Sequence, residues 1–106
     1  MGAYAHANLS VNVKAAFRAA QRHGLPAPQP IDHEWGYFFT AKQVKAWHEF
    51  MCFTEHIDNE TFLVAMILSE QASTYIYEQS LKAPQDRKAR REFLRAATRK
   101  FRVCFS

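Results

Sequence analysis

Asp58-Asn59-Glu60-Thr61-Phe62-Leu63-Val64-Ala65-Met66-Ile67-Leu68 is the stretch on which the fold turns. Asp58 or Asn59 is a natural helix cap, and Glu60 places a negative charge in the first turn, where the helix dipole favours it. Phe62 to Leu68 is apolar on every side, and a helix that is apolar all round is one that other elements cover. Ala72, Ile76 and Leu81 continue an apolar stripe among polar neighbours, so the spacing predicts a central helix running to about Leu81. The apolar run falls far short of the roughly 20 residues a membrane span needs.

Three more helices surround this one in the sequence. Leu9, Val13, Ala16, Phe17 and Ala20 recur at helical spacing, which predicts a helix from about Leu9 to His23 capped by Asn8 or Ser10. Gly24 closes it as a left-handed terminator, and Leu25 folds back on the last turn. Thr40-Ala41-Lys42-Gln43 is a capping box, with Phe39 and Val44 placed as its hydrophobic staple. The helix it opens carries Val44, Trp47, Phe50 and Met51 on one face and ends near Glu55 or His56. Pro84 suits the first turn of a fourth helix, near the acidic Asp86. Phe93, Leu94, Ala97 and Phe101 form its narrow apolar stripe. Two stretches lie outside the helices. Leu25-Pro26-Ala27-Pro28-Gln29-Pro30 cannot be helical and reads as a stiff extended connector. Ile31 to Phe39 packs Trp35, Tyr37, Phe38 and Phe39 around Gly36; an irregular apolar segment, a short helical turn and a short strand all fit it, and a loop with a turn of helix is the favoured reading. The tail Val103-Cys104-Phe105 either docks on the core or hangs free. The expected fold is all-α: a single domain over residues 1–106, a compact bundle of about four helices, with an irregular connector at 24–39.

Composition narrows the function. The chain has 106 residues, 48% of them hydrophobic and 14% aromatic, enough for one packed domain. Met1 to His6 has neither the basic nor the apolar part of a signal peptide, and only Cys52 and Cys104 carry thiols. Both facts point to a reducing cytoplasm. The net charge of +4 conceals a strong asymmetry. Residues 1–30 carry +3, residues 31–80 carry −6, and residues 81–106 carry +7. A mixed molecule of this kind either complements itself within the fold or offers charged surfaces to partners.

Each candidate site has a structural role as its alternative. His48, Cys52 and His56 are spaced i, i+4, i+8 and would share one face of a continuous helix. His33, Glu34, Glu55 or Cys104 could then complete a zinc set. Structural zinc sites usually take ligands in close pairs, and Cys52 sits among Phe50, Met51 and Phe53, so packing is the favoured role and no metal or other cofactor is expected. His48-Glu49-Phe50-Met51-Cys52 resembles the zinc-protease pattern but has Cys in place of its second His. A Cys–His nucleophilic pair is a chance arrangement among five His and two Cys. No phosphate-binding loop or nucleophile elbow occurs, and an enzyme is not expected. Arg87-Lys88-Ala89-Arg90-Arg91, continued by Arg95, Arg99, Lys100 and Arg102, could track a phosphate backbone, or could bridge to Glu49, Glu55, Glu70 or Glu78 of neighbouring helices. No helix-turn-helix accompanies it. Trp35, Tyr37, Phe38, Trp47, Tyr75 and Tyr77 exceed the needs of four short helices, and acids from Asp32 to Glu60 cluster near several of them. An acidic surface bearing aromatics could cover a basic site on a partner.

A single small helical domain, no catalytic constellation, cytosolic cysteine use and segregated charge with spare aromatics together make a pattern. It resembles the small phage-encoded anti-CRISPR proteins, particularly the helical ones directed at type I-E systems. The resemblance implies binding to a Cas component, either a surveillance-complex subunit or the recruited nuclease-helicase, and inhibition by steric block. Glu34, Trp35, Glu49, Glu55, Asp58, Arg91, Arg95 and Arg99 are the expected partner-binding residues. The expected state is a monomer with a protein partner and no membrane contact. The alternative is a small nucleic-acid-binding protein that uses the basic C-terminal helix.

Overall fold

A computed structural model describes residues 11–30, 37–99 and 101–105 of the chain. Among these the architecture is helical. Helix α1 spans Val13–His23, α2 Ala41–Phe53, α3 Asn59–Lys82 and α4 Arg87–Ala97. Three short strands, β1 Gln29–Pro30, β2 Tyr37–Phe39 and β3 Phe101–Val103, form one antiparallel sheet in the order β1-β2-β3.

Helix α3, at 24 residues, is about 36 Å long and forms the axis against which α1, α2 and α4 all pack. Asp58 caps it by accepting the Thr61 N–H at 3.0 Å. Val64, Ala65, Ile67, Leu68 and Ala72 are buried. Burial is not complete around the helix, because Phe62 keeps 37% of its surface in contact with solvent. Helix α1 meets α3 through Ala16, Ala19 and Ala20, and such small side chains let two backbones approach closely. Its cap is Asn12, whose side chain accepts the Ala15 N–H at 2.9 Å, so the helix starts later than the apolar spacing suggests. Asn8, Leu9 and Ser10 lie outside the described residues. Gly24 closes α1 at φ 64°, and the Leu25 N–H returns to the Ala20 carbonyl at 3.0 Å, as expected of that glycine.

Helix α2 begins at the capping box anticipated from the sequence. The Thr40 N–H donates to Gln43 Oε1 at 2.9 Å and the Gln43 N–H donates to Thr40 Oγ1 at 3.1 Å. Phe39 and Val44 are both buried beside it. Trp47 is fully buried and donates its indole N–H to the Pro26 carbonyl at 2.8 Å, which fastens the proline-rich connector to the core. The helix ends at Phe53, short of Glu55 and His56.

The sheet is the part that helical periodicity does not reveal. Tyr37–Phe39 is a strand, not a helical turn, and residues 31–36 lie outside the described residues. The connector at 24–39 thus carries β1 and β2. Phe101 belongs to β3, paired opposite Phe39, and is not part of the α4 stripe. The tail docks: Val103 and Phe105 are buried, and the Phe105 ring lies 6.2 Å from Phe39 and 6.0 Å from Tyr37, centre to centre. Gln71 of α3 holds this tail through its amide, accepting the Cys104 N–H at 2.9 Å and donating to the Cys104 carbonyl. Pro84 lies two residues ahead of the α4 cap, Asp86, whose carboxylate accepts the Ala89 N–H at 3.0 Å.

Candidate interaction surfaces

Two acids of the middle segment, Asp58 and Glu60, are spent inside the fold. Asp58 does four things at once. It caps α3, accepts the Thr61 hydroxyl, pairs with Arg22 at 3.0 Å and meets His23 Nε2 at 2.7 Å. Partial burial works against its charge. The hydrogen bonds from His23 and Thr61 and the field of Arg22 outweigh that burial and hold its carboxyl well below the usual carboxylate range. Glu60 is lowered as well, first by its hydrogen bond from Arg18 and then by that from Arg22. Arg18 and Arg22 each reach Glu60 at 3.0 Å, and the His23 ring rests on Phe50 with centres 4.7 Å apart. Asp58, expected at a partner surface, is therefore a clamp between α1 and α3. Its proximity to the cations of α1 could be found only from the tertiary fold.

The metal-ligand spacing does not survive in three dimensions. Because α2 stops at Phe53, His56 is not on the face that carries His48 and Cys52. His48 lies between two partners: Nε2 is 3.4 Å from Cys52 Sγ and Nδ1 is 3.2 Å from Ser69 Oγ. Among the described residues, no three His, Cys, Asp or Glu side chains converge. His48 and Ser69 also edge a shallow groove of about 410 Å³ between α2 and α3, floored by Ala41, Val44, Ala72 and Ile76.

Two of the surfaces that the fold leaves unused stand out among the described residues. The first is the C-terminal end of α2. Phe53 is 83% exposed, an unusual state for a phenyl ring. Glu49, one helical turn before it, and Glu55, two residues after it, are exposed as well. Neither carboxylate enters an ion pair among the described residues. Glu34 and Trp35, the other members expected there, lie outside the described residues.

The second surface is α4. No residue of this helix is fully buried. Ala89, Phe93, Leu94 and Ala97 turn toward α3, half-buried. Arg90 shares that side and donates to the Ser80 carbonyl at 2.9 Å, so it ties α4 to the end of α3 instead of facing a partner. Tyr75 fixes the other end by donating its hydroxyl to the Ala97 carbonyl at 2.9 Å. Arg87, Lys88, Arg91 and Arg95 are exposed on the helix, and Arg99 is exposed in the turn after it. Among the described residues, none of these five pairs with a carboxylate, and the anticipated bridges to Glu49, Glu55 and Glu78 are not formed. No family model, curated protein or solved structure matches this chain.

Proposed function

We propose that this protein is a non-enzymatic inhibitor that acts by covering a surface of another protein. In the reading that its resemblance to helical anti-CRISPR proteins implies, that protein is a Cas component and the block is steric. The observation that carries the proposal is Phe53, held almost fully in solvent at the end of a well-capped helix between the exposed acids Glu49 and Glu55. An aromatic ring at the centre of a contact, ringed by charge that selects the partner, is the usual composition of a strong interaction site. The acids suit a basic partner surface of the kind that binds nucleic acid, and occupying that surface excludes the nucleic acid.

The test is capture of the tagged protein from cells carrying a CRISPR system, read by mass spectrometry, with interference measured in the same cells. Phe53→Ala combined with Glu49→Lys should abolish capture and restore interference while leaving the melting temperature within about 2 °C, since neither side chain supports the core. Unchanged capture and inhibition by this variant would overturn the proposal, as would turnover of a substrate by the purified chain.

A further inference from the structure

We propose that the outward face of α4 is a second, separate binding surface, and that its partner is the phosphate backbone of duplex nucleic acid. Helix α4 is held at two points. Its two anchoring hydrogen bonds, Arg90 to the Ser80 carbonyl and the Tyr75 hydroxyl to the Ala97 carbonyl, lie toward opposite ends of the helix. They fix its rotation, so the opposite face is presented to solvent in one orientation. Lys88, Arg91 and Arg95 follow one another at three- and four-residue intervals on that face, which puts neighbouring cations about 4.5–6 Å apart along the axis. Arg99 is exposed just beyond. Glu92, the one acid within α4, is exposed on this same face one turn from Lys88 and from Arg95, but among the described residues it forms no ion pair with either, so with Arg99 the face keeps a net charge of +3.

A row of unpaired cations on a rigid rod costs folding energy through mutual repulsion, and a regular array of anions relieves it. Duplex nucleic acid offers such an array, at one charge per roughly 1.7 Å of axis. Arginine dominates the row, and its planar fork suits phosphate oxygens. Two features favour a duplex over a single strand and backbone contact over base reading. The exposed face of α4 carries no aromatic ring on which an unpaired base could stack, since Phe93 is turned inward and half-buried. Its donors are all cations, the side chains that meet phosphate oxygens, with no Asn or Gln to read adenine.

The proposal is tested by fluorescence anisotropy with a labelled 20-base-pair duplex of arbitrary sequence. The comparison ligands are a single strand of the same length and polyglutamate of matched charge. With four phosphate contacts the logarithm of affinity should fall against the logarithm of salt with slope about −3.6, which is roughly 150-fold between 50 and 200 mM. Two duplexes of unrelated sequence should bind alike. Arg91→Gln, Arg95→Gln and Arg99→Gln together should reduce the slope to about −0.9 while leaving far-UV circular dichroism unchanged. No duplex binding at 25 mM salt would overturn the proposal, as would an unchanged slope in the triple variant. Equal or tighter binding of the single strand or of polyglutamate would also overturn it. Failure here leaves capture through Phe53 intact, because the two surfaces share no residue, and failure of that capture leaves the salt slope intact.

Discussion

Replacing Asp58 by Ala and, separately, by Asn should divide the work of one side chain into its two parts. Alanine removes both the α3 cap and the pairing with Arg22 and His23. Asparagine is an equally good cap but carries no charge, so it removes the pairing alone. The cap is a 3.0 Å bond to an otherwise unsatisfied N–H at the start of the longest helix, and its loss costs about 1–2 kcal/mol. The charged contacts are half exposed and contribute less. Asp58→Ala should therefore lower the melting temperature by roughly 5–10 °C, and Asp58→Asn by less than half of that. The pH dependence has a definite sign. The Asp58 carboxyl titrates below its unfolded value in the native state, so its charge stabilises the fold at neutral pH and down to about pH 4. That contribution then fades as acid protonates it. Urea unfolding of the wild type and both variants at pH 7, 4 and 2.5, followed by circular dichroism, reads all three quantities. If Ala and Asn cost the same, or if the gap between wild type and Asp58→Asn widens in acid, Asp58 does not clamp α1 to α3 through its charge.

Two further expectations concern the core. Phe105→Ala should destabilise the protein by about 3–5 kcal/mol in chemical denaturation, because it empties the space against Tyr37 and Phe39. A cost below about 1 kcal/mol would mean the tail is not part of the core. Trp47→Phe keeps most of the buried bulk but leaves the Pro26 carbonyl without its donor, at a cost of about 1–3 kcal/mol. Limited proteolysis should then cut the connector at 24–30 faster than in the wild type. An unchanged cleavage rate would show that this bond does not restrain it.

What could be read from the sequence was local. The Thr40-Gln43 capping box and the Gly24 terminator depend on residues within one turn of each other, and each forms as expected. Asp58 as a cap is local for the same reason. The sheet was not legible because β1, β2 and β3 have two or three residues each, too few for an alternating pattern to register. Phe101 shows the resulting error well. It continues the apolar spacing of Phe93 and Ala97, yet α4 ends at Ala97 and the phase carries no meaning beyond it. Arg90 could have been placed correctly, since it lies three residues before Phe93 and seven before Ala97, on the side that packs. Phe53 gave no signal, because an exposed phenylalanine and a buried one look alike in a sequence.

The pairing of β2 with β3 joins Tyr37–Phe39 to residues more than sixty positions away, across both long helices. Helices form from near neighbours in microseconds, whereas so distant a pairing must wait for the intervening chain to organise. During that wait the rings of Tyr37 and Phe39 lack the cover of Phe105. Pulse-labelled amide exchange should accordingly find the backbone of β2 gaining protection after that of α3.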